Sequence, residues 1–166
     1  MDDLTLRPSS AADAEFIYAL NELTLRPHVE AMSRKWAGAK MRDKCANDAV
    51  DPNTRIVSFE GIDCGVYTLE IKLDEIFLHS MLLEPGSQRR GIGRHLLQQA
   101  LEEAETRRLP IRLFVMRANP AKGYYERFGF RVFDEAEQYF AMERSPIQSA
   151  LQSGSDPDSL PIENFV

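Results

Sequence analysis

"LLEPGSQRRGIGRHLLQQALEEAE", Leu82 to Glu105, is the stretch whose reading decides the fold. An apolar run ends at Leu83 and is broken by Pro85, Gly86 and Ser87. From Ile92 onward Leu96, Leu97, Ala100, Leu101 and Ala104 recur at helical spacing. Between the two lies "QRRGIG", Gln88 to Gly93, a strand-to-helix junction with two glycines flanked by arginines. A helix that begins there has backbone N–H groups without intrahelical partners and a partial positive charge at its tip. Glycines let an anion come close to such a backbone. The hexapeptide therefore reads as a phosphate site or as an ordinary tight connection, and the rest of the chain must choose.

Upstream stand three extended segments: "RIVSFE" from Arg55, "GVYTLEIKL" from Gly65 and "EIFLHSMLL" from Glu75. The connections between them are short, which favours antiparallel neighbours. Downstream, "IRLFVM" is apolar on both faces, as a central strand should be. "PAKGYYERFG" reads as a short helix closed by Gly129, and "FRVFDEA" and "QYFAMER" as a final hairpin-like pair. At the start of the chain "LTLRPSS" reads as a strand followed by a cap. Phe16, Ile17, Leu20 and Leu23 then mark a helix that Pro27 is expected to end or kink near Leu25. A second helical segment runs from about Val29 to Val50, with Trp36 and Met41, and is expected to break near Gly38. The order predicts an α/β domain with a mixed sheet over residues 1–144. Residues 145–166, "SPIQSALQSGSDPDSLPIENFV", shift toward Ser, Pro and Asp and are expected to form a mobile tail; packing onto a second subunit of a homodimer is the alternative.

With 166 residues, 43% of them hydrophobic, the chain suits one domain with a real core. A formal charge of −6 argues against a nucleic-acid partner bound by phosphate neutralisation and suits a cationic one. Met1 to Arg7 hold no signal-like apolar run and no uncharged stretch has membrane-spanning length, so a cytoplasmic protein without membrane contact is expected. Cys45 and Cys64 lack CxxC spacing and read as reduced thiols. His28, His79 and His95 lack zinc-ligand spacing, so no metal is expected. A dinucleotide-binding oxidoreductase would predict GxGxxG after the first strand, and that pattern is not at the start of this chain.

The order of elements from about Leu4 to Arg144, together with three local signatures, resembles the GCN5-related N-acetyltransferases (GNAT), which move an acetyl group from acetyl-CoA to an amine. In "LLEPGSQRRGIG", Gln88, Gly91 and Gly93 fill the family's Q/R-x-x-G-x-G/A motif, whose backbone amides hold the CoA pyrophosphate. "NPAKGYYERFGF" looks like the family element that carries the tyrosine protonating the departing thiolate, which falls on Tyr125. "EIFLHSMLL" matches the strand that splays from its neighbour and pairs with the pantetheine arm. The resemblance implies a mostly antiparallel sheet of six to seven strands with helices on both faces. It also implies acetyl-CoA as cosubstrate, direct attack by a primary amine in a ternary complex, and no metal. Its implied cofactor-binding set is Met81, Leu82, Leu83, Gln88, Arg89, Arg90, Gly91, Ile92, Gly93, Arg94 and Asn119. A main-chain N–H near Met81 or Leu82 would polarise the thioester carbonyl. A non-catalytic acyl-CoA-binding or sensing module of the same fold is the alternative.

A phenol is protonated at neutral pH, which suits Tyr125 to the role of general acid. A protonated amine must lose a proton before attack. Glu75 and His79 lie on one face of the fourth strand by its period of two, and His79 sits where the arylalkylamine branch of the family carries a histidine thought to act through water. Glu75 and bulk-connected water remain the other candidates. Asn119 reads either as a holder of water or the pantetheine amide, or as a cap for the short helix. Phe16 and Trp36 read as acceptor-pocket cover or as core. Glu22, Glu30 and Asp43 read as an attractor for ammonium or as a solvated helix face. The amine acceptor itself, whether a small molecule or a peptide, is left open by the sequence.

Overall fold

Alternating and fully apolar stretches become strands, and the stripes at helical spacing become the helices that cover them. The computed structural model describes residues 1 and 3–147. In chain order the elements are β1 (Leu4–Pro8), α1 (Ala14–Ala31), α2 (Gly38–Val50), β2 (Thr54–Phe59), β3 (Ile62–Ile71) and β4 (Ile76–Leu83). Then come α3 (Ile92–Arg107), β5 (Ile111–Met116), α4 (Ala121–Glu126), β6 (Arg131–Glu135) and β7 (Tyr139–Arg144). One seven-stranded sheet runs in the order β1-β2-β3-β4-β5-β7-β6. Only β4 and β5 are parallel neighbours, because α3 carries the chain between them. The expected mobile tail falls largely on residues 148–166, outside the described residues.

Two apolar clusters sit on the sheet's two faces. On one face α3 lays down Ile92, Leu96, Leu97, Ala100, Leu101 and Ala104 against Ile76, Leu78, Ile111 and Leu113, with Tyr124, Tyr125 and Phe128 packed alongside. On the other, Ile17, Leu20, Cys45 and Ala49 of α1 and α2 pack on Ile56 and Val66, with Phe16, Trp36 and Leu82 against them. Phe16 and Trp36 therefore sit against core.

The helix limits near the N-terminus differ from expectation. Pro27 lies inside α1, which continues to Ala31. A proline there removes one N–H and frees the carbonyl of Leu23, and both Pro27 and Leu23 are exposed, so the freed carbonyl lies on a solvent-facing turn. The break expected near Gly38 is present: α1 ends at Ala31, and Gly38 begins α2 after a short non-helical connection.

An ion-pair node ties β1 to the entry of α1 and to β3. Arg7 donates to both Asp13 carboxylate oxygens, at 2.7 and 3.0 Å, and to Asp63 at 2.7 Å. Asp13 also accepts the backbone N–H of Ser10 at 2.8 Å. The Arg7 guanidinium first, and after it the Ser10 N–H and the Ser10 hydroxyl, which donates at 3.1 Å, hold the Asp13 carboxyl well below the usual range, at about 2. A carboxyl depressed in the folded state stabilises above its unfolded pKa and loses that stabilisation as pH falls through the folded value. Asp13→Asn is therefore expected to cost about 1–2 kcal/mol at neutral pH, reduced from the full linkage value by the exposure of Arg7. The gap between the two proteins should close between about pH 4 and pH 2 in urea titrations followed across pH.

Candidate active site

The site begins where β4 and β5 part. They pair through Ile76↔Ile111, Phe77↔Arg112 and Leu78↔Leu113, after which β4 keeps only β3 and β5 keeps only β7. At the divergence β4 carries a bulge: Leu78 faces Leu69 and Ser80 faces Thr68, leaving His79 as the extra residue. The bulge shifts the side-chain phase, so Ile76 and Leu78 before it, and Met81 and Leu83 after it, point to the same apolar cluster.

Beyond the bulge the backbone alternates in a way that selects particular amides. Glu84 N–H donates to the Cys64 carbonyl at 2.8 Å, which makes 84 and 64 a hydrogen-bonded pair. By the antiparallel alternation, Leu82 is then turned to β3, while the N–H and C=O groups of Met81 and Leu83 face the gap toward β5. Consistent with this, the Leu83 carbonyl accepts a bond from the Gln88 side chain at 3.0 Å.

The gap leads to the N-terminus of α3. Gly91, at φ +84°, occupies the left-handed region as the helix N-cap, a conformation that favours glycine. Gly93 is different. A β-carbon built on it would lie 3.7 Å from Leu83 Cδ1 and 3.8 Å from Tyr124 Oη, ordinary contacts that the protein would tolerate. Neither strain nor internal crowding requires a glycine at 93, so the bare backbone there is suited to a ligand's close approach. Arg90 is turned away: it donates to both Glu60 carboxylate oxygens at 3.1 Å and stacks over Phe59 at 4.4 Å. Arg89 and Arg94 make no ion pair among the described residues. Two unpaired cations, a glycine turn and a helix end together fit the diphosphate of acetyl-CoA.

Tyr125 projects from α4 into the same apolar cluster, edge-on to Phe130 at 5.6 Å and to Tyr124 at 5.5 Å between ring centroids. Burial pushes its phenol pKa well above the usual range, and the neighbouring Tyr124 adds to the shift. The hydroxyl therefore keeps its proton throughout the working pH range. Tyr67 of β3, opposite Met81, is likewise raised by burial and then by Tyr125, so two protonated phenols flank the divergence. Sequence reasoning missed Tyr67; its signal was the hairpin register that sets it across from Met81.

The two carboxylate and imidazole candidates separate. The Glu75 carboxylate takes Lys72 at 3.1 Å and Arg112 at 3.0 Å, and Arg112 also bridges to Glu143 at 2.6 Å. It lies at the closed end of the β4–β5 pair, roughly 20 Å along the strand from Met81. His79 sits at the divergence, with Nε2 2.8 Å from Glu70 Oε2 and its ring 4.6 Å from that of Phe77. Glu70 was a second omission, legible only once Glu70↔Phe77 pairing is known.

Asn119 uses Oδ1 to accept the Ala121 N–H, the first of α4, at 2.9 Å. Glu22 and Glu30 are both paired to Arg26, at 3.1 and 2.7 Å, as a solvated helix face. Cys45 and Cys64 are buried free thiols; burial pushes Cys45 up to about 11 and raises Cys64, so neither is poised as a nucleophile. No group of metal-ligating side chains occurs among the described residues, and no described helix is long and apolar enough to cross a membrane. Near the open end of β5, where Arg117 N–H meets the Gln138 carbonyl, a cleft of about 570 Å³ lies between the α1–α2 turn (Met32, Ser33, Arg34, Lys35) and Glu137 and Gln138 before β7.

Comparison with known proteins agrees with this geometry. The model of the acetyltransferase (GNAT) domain matches residues 50–132. The [ribosomal protein bS18]-alanine N-acetyltransferase of Salmonella typhimurium is 26% identical over 121 residues, covering 72% of this chain and 77% of that protein. Among solved structures, the PaiA N-acetyltransferase of Thermoplasma acidophilum in complex with coenzyme A superposes with a TM-score of 0.67 at 19% identity, covering 86% of this chain and 98% of the other. The ribosomal-protein-S18-alanine N-acetyltransferase of Escherichia coli gives 0.62 at 19% identity, over 90% and 99% of the two chains. Arabidopsis thaliana Naa50, in complex with the bisubstrate analogue CoA-Ac-MVNAL, gives 0.62 at 18%, over 86% and 99%. The match to the domain model across half the chain, on a sheet that parts at β4 and β5 before a glycine-led helix, means that this chain belongs to the GNAT acetyltransferases and is an acyl-CoA-dependent N-acetyltransferase.

Proposed function

We propose that the protein acetylates the free N-terminal amine of a polypeptide by direct attack in a ternary complex. The observation that carries this reading is the open cleft between the α1–α2 turn and Gln138, at the end of the sheet toward which β4 and β5 diverge. An unenclosed polar trough accepts the end of a chain better than it encloses a small lipophilic amine. Relatives named for alanine N-acetylation of a ribosomal protein, and one holding a CoA–peptide conjugate, lend the same support.

Acetyl-CoA, when bound, supplies the acetyl group as a thioester. Gly91, Ile92 and Gly93 present backbone to its diphosphate, with Arg89 and Arg94 adding charge. Met81, and the N–H of Leu83, whose carbonyl is taken by the Gln88 side chain, offer strand backbone to the pantetheine arm in the manner of an added strand. The Met81 N–H is a fixed dipole aimed where negative charge gathers on the carbonyl oxygen. His79, steadied by Glu70, takes the amine proton through water. Tyr125 holds its proton at Oη and gives it to the sulfur as the thiolate leaves.

The test is calorimetric titration with acetyl-CoA, followed by a thiol-release assay on three acceptors. These are a lysine-free peptide with a free N-terminus, the same peptide N-acetylated and bearing one lysine, and a polyamine. Turnover concentrated on the first is expected. Turnover confined to the lysine peptide or the polyamine would overturn the assignment while leaving the acetyltransferase intact.

A further inference from the structure

Two buried side-chain polar atoms lack a hydrogen-bond partner among the described residues: Glu105 Oε1 and Tyr124 Oη. Glu105 Oε1 still lies 3.3 Å from the Arg144 guanidinium, within ion-pair reach. Tyr124 Oη has no such neighbour among the described residues. A buried hydroxyl left unpaired destabilises a fold, so its retention calls for a reason outside the free protein.

Its surroundings supply one. Tyr124 Oη lies 3.8 Å from where a β-carbon on Gly93 would be, at the mouth of the α3 N-terminus. Arg127 lies over the Tyr124 ring at 5.8 Å, and Arg94 is close enough to act on the phenol electrostatically. Neither arginine has a carboxylate partner among the described residues. An orphan donor, two unpaired cations and a positively polarised helix end share one space, and all favour an anion. The element "NPAKGYYERFGF" accounts for Tyr125 through the family motif, while position 124 is one that motif leaves free. An aliphatic side chain would fill the same packing site between Tyr125 and Phe128 with no hydroxyl to satisfy.

We propose that the Tyr124 hydroxyl is a cofactor-binding group of this chain, donating a hydrogen bond to a diphosphate oxygen of CoA beside Gly93. This rests on the acyl-CoA reading of the α3 turn. The bond is satisfied only in the complex, so the same hydroxyl that burdens the free protein favours the bound one. Burial raises the phenol pKa and so keeps the proton available for donation.

The experiment compares wild type with Tyr124→Phe, using CoA and S-acetylpantetheine, which has the arm but no phosphates. Calorimetry and thermal melts of the free proteins are the readouts. For CoA, the dissociation constant of Tyr124→Phe should rise about ten- to a hundredfold, the effect of losing a hydrogen bond to a charged group. Affinity for S-acetylpantetheine should not change. The free variant should melt at the same temperature as wild type or higher, since an unpaired buried hydroxyl is gone. Unchanged CoA affinity in the variant would overturn the proposal, and so would an equal loss for both ligands, which would assign the hydroxyl to the arm. Wild type that fails to bind CoA would overturn the reading of the α3 turn itself, a separate failure.

Discussion

Tyr125→Phe is expected to lower kcat about 100- to 1000-fold, with the dissociation constant for acetyl-CoA changed by less than about twofold. The variant keeps the ring, and with it the edge contacts to Phe130 and Tyr124 that seat α4 on the sheet. Only Oη is lost, and that atom acts when charge develops on sulfur, so kcat and kcat/KM should fall together. Because burial holds the phenol pKa above its usual range, Tyr125 should not add a basic limb to the pH profile near neutrality. The choice of leaving thiol separates acid catalysis from positioning. An acetyl thioester of an aromatic thiol departs as a stabilised anion and needs no proton, so it should restore much of the lost rate in Tyr125→Phe. Equal defects with both thioesters, or an undiminished kcat with acetyl-CoA, would remove Tyr125 from the role of acid.

Much of the site was legible because each of its parts is local in sequence. "QRRGIG" states a glycine turn and a helix start within six residues, and "YYERFGF" states an aromatic turn of helix closed at Gly129, which adopts φ +86°. What stayed hidden depends on pairing across the sheet. Glu75 and His79 look equivalent by alternation, but the bulge at His79 and the three-residue parallel pairing with β5 put one at the closed end and the other at the opening. Glu70 and Tyr67 carry no motif, and only the β3–β4 register brings them opposite Phe77 and Met81. The same register distinguishes Met81 from Leu82 as the amide facing the gap. Pro27 misled for a different reason: its penalty disfavours a helix without forbidding one, and the carbonyl it frees is on an exposed turn of α1, which continues to Ala31.

Gly93→Val should weaken CoA binding by about a hundredfold or more, and Gly93→Ala should do so by less while making the free protein more stable. Gly91 is the poorer probe of the same turn, since its φ of +84° means that any β-carbon there strains the start of α3 whether or not a ligand is present. Gly93 has no such constraint. A methyl at that position meets Leu83 and Tyr124 at ordinary contact distances, so packing is kept. Alanine also favours helix over glycine by up to about 1 kcal/mol, less near an end, so the Gly93→Ala melting temperature should rise. The same methyl stands in the space through which an anion reaches the helix amides, and the two γ-methyls of valine fill it further. Displacing a phosphate from two charge-assisted hydrogen bonds costs about 3–6 kcal/mol, which is the hundredfold or greater loss expected of valine. A folded protein that grows more stable as it loses its ligand would mean that the glycine is kept for binding, against the preference of the helix. Wild-type CoA affinity in a folded Gly93→Val protein would move the diphosphate away from this turn.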